Sequence, residues 1–267
     1  MAIQNAAWSP RSEQFYNRLL VGLEDELVAQ AHGLLIKIVS DRDEELSTLR
    51  QWARDGAVQG VVCKDIAVGD DFEASVQRTG LAYAILGDSS QLNHANLVAV
   101  NNADGMRRVL DHLIAGGRHE IDWISGPQRQ LHTHVRLGVF EQYRADGRIL
   151  GQAAEADYDV DRCLELITAA LQRDVRPRAF LLDGEDVGIR VLERIRELGF
   201  SVPGDVALMC WDDSLTCQRA DPPITALNHH VEELGRSVGR CLVAAAAGRL
   251  LHETAPDLQI VARASTD

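Results

Sequence analysis

Apolar positions along the chain switch repeatedly between a helical and an extended period. Phe15, Leu19, Leu23 and Leu27 recur every four residues and predict one face of a helix over roughly 12–32, after which the apolar run Leu34–Val39 predicts a buried strand. The alternation continues with a helix near Asp43–Asp55, a strand at Gly60–Cys63, a helix near Phe72–Arg78, and strands at Leu81–Leu86 and Leu97–Val100. A second series opens at Asp104, where Met106, Val109, Leu110, Leu113 and Ile114 share a helical face that Gly116-Gly117 closes. Strand Ile121–Ile124, helices His134–Ala145 and Asp161–Gln172, strand Ala179–Leu182, helix Asp186–Leu198 and strand Val206–Cys210 follow. Beyond Pro222-Pro223 the pattern gives an extended Ile224–Leu227, a long helix Val231–Ala247 and a strand Leu258–Ala262 that has to join an existing sheet.

Strands separated by helices predict parallel sheets with crossover helices, here as two similar α/β halves. The expected lobes are residues 1–100 with about 229–255, and 101–228 with about 256–267, so the chain crosses between them more than once. No Gly/Ser-rich tether separates them, which predicts short hinge crossovers near 100–102 and 227–229.

At 267 residues the chain can bury two cores, and its 46% hydrophobic and 25% charged content is that of a folded globular protein. Its longest apolar runs, such as Leu242–Ala247, fall far short of the ~20 residues a membrane helix needs, so no membrane span is expected. Met1–Asn5 lacks the basic and apolar stretches of a secretory signal, and five cysteines (Cys63, Cys163, Cys210, Cys217, Cys241) are scattered in mostly apolar segments. Both features predict reduced thiols and a cytoplasmic location. A net charge of -13 repels phosphate backbones, so this stretch is not expected to grip nucleic acid itself.

The most informative segment runs from Glu197 to Ser214. Gly199 ends a helix, Pro203-Gly204 turns the chain, Val206–Cys210 is a buried strand, and Asp212-Asp213 follow its carboxyl end, where ligands bind in open α/β sheets. Together with Pro222–Leu227, Val231–Gly235, Ala103-Asp104-Gly105, Ile124–Pro127, Arg136 and Val261–Thr266, this segment resembles the LacI/GalR family of transcription regulators. The resemblance spans roughly 15–266 and implies a periplasmic-binding-protein-like type I core with two Rossmann-like lobes, usually a homodimer. It also implies N-terminal helix-turn-helix heads on operator DNA; those heads are not in this sequence, so the chain is expected to be the sensing portion, touching DNA only through an absent domain.

By the resemblance, Asp212 accepts hydrogen bonds from ligand hydroxyls, with Trp211 beside it, and Arg136 clamps the ligand from the second lobe. Without it, Arg136 reads as a solvated helix face and Asp212 as a cap or Asx turn. Asp88 matches an acidic contact of the first lobe, and Tyr158 an aromatic that stacks on the ligand, although a lone aromatic before a helix also serves as a hydrophobic staple. In Asp183-Gly184-Glu185-Asp186, Asp183 or Glu185 takes the polar role, or the acids merely complement a helix dipole. The turn around Trp8–Tyr16 departs from the family pattern; Gln14 and Phe15 are pocket candidates there, and Phe15 fits the core stripe equally well. Asn101-Asn102 reads as hinge. His132 lies in a region that contacts ligand in relatives, while the pairs His132/His134 and His229-His230 lack companions at metal-ligand spacing and read as solvated or hinge histidines.

No metal or cofactor is expected. The acid-rich candidate set favours a neutral sugar or polyol in a cleft between the lobes, with a nucleoside as the other option. A periplasmic sugar-binding protein would use the same clamp. A hydrolase is disfavoured, because Gly87-Asp88-Ser89 is not a Gly-x-Ser-x-Gly elbow and no phosphate-binding glycine loop occurs.

Overall fold

The computed structural model describes residues 1–4, 14–88, 96–184 and 187–267. In chain order its elements are β1 (Ala2–Gln4), α1 (Gln14–Ala29), β2 (Lys37–Val39), α2 (Arg42–Asp55), β3 (Gly60–Cys63), α3 (Phe72–Gln77), β4 (Ala82–Asp88), β5 (Asn96–Val100), α4 (Asn102–Ala115), β6 (Ile121–Ser125) and α5 (Leu131–Ala145). They continue with β7 (Ala153–Glu155), α6 (Val160–Leu171), β8 (Ala179–Leu182), α7 (Val187–Glu197), β9 (Ala207–Cys210), α8 (Leu215–Arg219), β10 (Thr225–Asn228), α9 (Val231–Ala246), β11 (Leu251–Thr254) and β12 (Gln259–Val261). Two compact units result, Met1–Asn101 with His230–Asp257, and Asn102–His229 with Leu258–Asp267. The chain passes between them at 101–102, 229–230 and 257–258.

Unit 2 is built on a sheet of order β12-β10-β9-β8-β6-β7, parallel throughout except for the β10–β12 pair. Strands β6, β8 and β9 are buried at every residue, as parallel strands covered on both faces must be. Their two-residue period divides the core. Phe180, Leu182, Leu208 and Cys210 meet α6 and α7, whereas Trp123, Leu181 and Met209 meet α4 and α5. Helix α4 turns Met106, Val109, Leu110 and Leu113 inward, and Gly117 at φ +76 stops it, with Arg118 N returning to the Leu113 carbonyl.

Unit 1 carries a parallel sheet of order β11-β5-β4-β3 and a parallel pair β1–β2. Val62, Ala84 and Val98 face α1 and α9 on one side of the sheet, and Val61, Cys63, Ile85 and Leu97 pack with Leu49, Trp52 and Phe72 on the other. Helices α1 and α9 cross in backbone contact. A Cβ on Gly22 would fall 1.8 Å from the Glu232 carbonyl oxygen, and one on Gly235 would fall 2.2 Å from that of Leu19.

The structure differs from the sequence reading in places with clear causes. The run Leu34–Val39 yields only the short β2, and Leu35 and Ile36 are exposed. Helix α5 begins at Leu131, ahead of the predicted His134. β7, β11 and α8 were not foreseen: β7 is three residues at a sheet edge, β11 alternates half-buried and exposed positions at another edge, and α8 is a five-residue turn capped by Ser214.

Gly22→Ala is expected to force α1 and α9 apart, with an overpacking cost of roughly 1–3 kcal/mol. Gly138→Ala, on the exposed face of α5 with nothing within 4 Å of the added carbon, is expected to be stabilising by roughly 0.5–1 kcal/mol. Urea unfolding midpoints check both; a Gly22→Ala midpoint equal to the parent's would contradict the close crossing.

Candidate functional site

Adjacent strands of unit 2 end in step. Ile124 pairs with Leu182, Leu182 with Cys210, and Cys210 with Ala226. Gly126, Asp183, Trp211, Asp212 and His229 therefore emerge together at the carboxyl edge of the sheet, where no further ladder partners await them.

Asp183 is fixed from three directions. Its amide donates to the Ile124 carbonyl at 2.9 Å, its Oδ1 accepts from Trp123 Nε1 at 3.1 Å, and its Oδ2 accepts from Gly126 N at 3.1 Å. Burial pushes its carboxyl pKa up, while Arg136 and the two N–H donors pull it back down.

Arg136, in the second turn of α5, is 8% exposed, which removes the solvated-face reading. Its Nε and Nη2 donate to Asn102 Oδ1 at 3.0 and 2.9 Å, and its Nη1 lies 3.5 Å from Asp183 Oδ2. The guanidinium carbon rests 3.8 Å from the centre of the Trp211 ring. Planar stacking of this kind is specific to arginine. Asn102 opens α4 and is buried; it stands where the chain passes from one unit to the other, as the hinge reading expects, and its side chain in addition orients Arg136.

Trp211 donates its amide to the Leu182 carbonyl, and its indole packs so closely on α4 that a Cβ on Gly105 would fall 3.2 Å from the ring. His229 is buried rather than solvated. Its Nε2 lies 3.1 Å from the Trp211 carbonyl oxygen and 3.3 Å from Asp212 Oδ1, and the two rings sit 5.9 Å apart. The two neighbouring acids part company here. Asp213 pairs with Arg263 at 2.8 Å and Ser214 caps α8, leaving Asp212 partly exposed at the edge. Among the described residues, Trp211 Nε1 and Ser125 Oγ are buried and find no hydrogen-bond partner, an unfavourable state that a polar ligand would relieve.

Tyr158, at φ +61 just before α6, lays its ring against Gly126, where a Cβ would fall 2.5 Å from the phenol carbon. Its hydroxyl is 3.5 Å from Gln130 Oε1 and the side chain is exposed. His132 is partly buried in the first turn of α5, and His134 is exposed. Glu185 lies outside the described residues. Among those described, no three His, Cys, Asp or Glu side chains gather as metal ligands.

In unit 1, Asp88 ends β4 and is buried. Gln14 and Phe15 form the first turn of α1; Phe15 packs against the core and meets Tyr16 edge-on at 5.6 Å. Sequence reasoning missed a charged cluster just past β3. Tyr16 donates its hydroxyl proton to Asp65 Oδ2 at 2.7 Å, the buried Lys64 pairs with Asp65 and bonds Tyr16 at 3.0 Å, and Arg42 holds the Asp65 carbonyl at 2.7 Å. Position one or two beyond the carboxyl end of a strand, the rule that singled out Asp212, would have flagged Lys64 and Asp65 as well.

Comparison with known proteins gives this arrangement a context. The family described as periplasmic binding protein-like domain matches residues 110–266. Relatives include the HTH-type transcriptional regulator CelR of Thermobifida fusca, 27% identical over 76% of this chain and 60% of its own length. The lactose operon repressor of Escherichia coli is 26% identical over 60% of this chain and 45% of its own. The chain thus spans about half the length of these curated relatives. Among solved structures, a LacI family transcriptional regulator from Bifidobacterium animalis subsp. lactis superposes with a TM-score of 0.89 at 23% identity, covering 99% of this chain and 95% of that one. A CelR–cellobiose complex gives 0.86 at 23% identity, covering 99% and 83%. The relatives and structural neighbours include LacI-family transcription regulators, and the chain belongs to the periplasmic binding protein-like domain family.

Proposed function

We propose that this domain senses a neutral sugar or polyol and passes its occupancy to operator DNA through a helix-turn-helix elsewhere in the full-length protein. The observation that carries this reading is the buried Arg136 guanidinium, laid on Trp211 and held by Asn102 and Asp183 at the carboxyl edge of four parallel strands. An arginine immobilised this way offers directed N–H donors, and Asp212 offers a carboxylate acceptor, the pairing that polyhydroxylated ligands need. The exposed Tyr158 supplies an aromatic face for sugar C–H groups. Asp88, Asp183, Gln14, Phe15, His132 and Glu185 remain proposed contacts on the strength of the resemblance. A structural neighbour in complex with cellobiose supports a carbohydrate over a nucleoside. Five free buried cysteines fit a cytoplasmic regulator, and no helix among the described residues is long and apolar enough to cross a membrane. Signal transfer follows when ligand binds one arrangement of the two units more tightly than another.

A homodimer is part of the same reading. Val21 and Val28, one heptad apart on α1, are exposed together with Leu35 and Ile36, a surface suited to a second copy. Sedimentation equilibrium is expected to give a dimer that Val21→Glu with Val28→Glu shifts toward monomer; a monomeric parent at high micromolar concentration would contradict this.

A thermal-shift panel of sugars, polyols and nucleosides tests the effector class. A cognate sugar at a hundredfold excess over Kd is expected to stabilise the domain by about 2.7 kcal/mol. Titration calorimetry with that sugar is then expected to show Arg136→Ala and Asp212→Asn each losing roughly 2–5 kcal/mol of binding. Stabilisation by nucleosides alone, or unchanged affinity in both variants, would overturn the assignment.

A further inference from the structure

A second depression lies at the opposite, amino-terminal edge of the unit 2 sheet. Its lining includes Glu120, Arg178 and Val206, the residues immediately before β6, β8 and β9. Its volume is about 280 Å³, at the small end for ligand sites, so an occupant would be smaller than a typical drug. The apolar part consists of Leu171, Pro177 and Val206, all buried, the half-buried ring of Phe200 and the exposed Val175.

The charged part has both signs. Arg176 stacks its guanidinium 4.8 Å from the Phe200 ring centre, which orients the planar fork without using its N–H groups. Arg178 is exposed beside it, and among the described residues neither arginine has a carboxylate within ion-pairing distance. Glu120 and Asp174 likewise engage no side-chain hydrogen bond or ion pair among the described residues. The remaining acid, Asp205, is held below the usual carboxylate range by Ser201, which donates from Oγ at 2.6 Å and from N at 2.8 Å, and further by the charges of Arg176 and Arg178. Two cations that face Asp205 without a contact ion pair, and two anions with no side-chain partner among the described residues, surround an apolar floor, an arrangement that matches a small molecule carrying one charge of each sign and an apolar body.

We propose that this depression binds an apolar α-amino acid as its zwitterion, with the carboxylate on Arg176 and Arg178, the ammonium on Glu120 and Asp174, and the side chain against Leu171, Val206 and Phe200. The site is separate from the carboxyl-edge cluster, so its failure would leave the effector reading untouched. Calorimetric titration of the whole chain with L-phenylalanine, 3-phenylpropionate and phenethylamine tests it, because the last two each lack one charge. L-Phenylalanine is expected to bind at least tenfold more tightly than either. Arg178→Ala is expected to weaken L-phenylalanine to the level of phenethylamine while leaving phenethylamine unchanged, and Glu120→Gln with Asp174→Asn to weaken it to the level of 3-phenylpropionate. These exposed or half-exposed positions are expected to keep the parent's unfolding midpoint, which certifies each variant as folded. Absence of L-phenylalanine binding, equal affinity for all three probes, or binding that survives both sets of substitutions would overturn the proposal.

Discussion

Burial of the Arg136 guanidinium constrains everything around it in unit 2. A charge removed from water is tolerated only with close partners and satisfied donors. Asn102, at the start of α4, supplies one acceptor, Asp183 past β8 supplies the compensating charge, and Trp211 past β9 supplies a polarisable face. Asp183 in turn is held by Trp123 and Gly126 from β6 and its end. Three strands and two helices thus converge on one cation, and they can do so only because the parallel register brings the strand ends level.

The same arrangement joins stability to recognition. Removing Asp183 would leave Arg136 as an uncompensated buried charge, and removing Arg136 would leave Asp183 buried without its counter-ion. Trp211 has a double role: one edge fills the space that Gly105 leaves open on α4, while its face carries the arginine. The peptide that follows is steadied by His229, so the orientation of Asp212 depends on a residue from the neighbouring strand end. Side chains held this way have little conformational freedom left to lose, which is the preorganisation the proposed ligand site calls for.

Legibility in the sequence followed physical range. Buried parallel strands such as Gly60–Cys63 and Ala179–Leu182 were read with their observed boundaries, because continuous burial writes itself as a continuous apolar run. Edge strands β7 and β11 left no such trace, and Leu35 and Ile36 looked like core while lying exposed. Arg136 and Asp212 entered as candidates through a resemblance. Asn102 and His229 did not, since their roles come from partners 34 and 18 residues away that periodicity cannot pair. The pairing of Tyr16 with Lys64 and Asp65 is hidden for the same reason, at separations of 48 and 49 residues, although position past a strand end marks the latter two.

An effector docked on the Arg136–Trp211 edge, as proposed, would meet the Trp211 indole N–H, which has no partner among the described residues and so offers a direct reporter of that event. With tryptophan labelled by nitrogen-15, the indole resonances can be followed while the stabilising sugar is titrated. The account requires the Trp211 signal to move with the binding curve, while that of Trp52, on α2 in unit 1, stays in place. Saturable binding that leaves the Trp211 indole signal unmoved would contradict it.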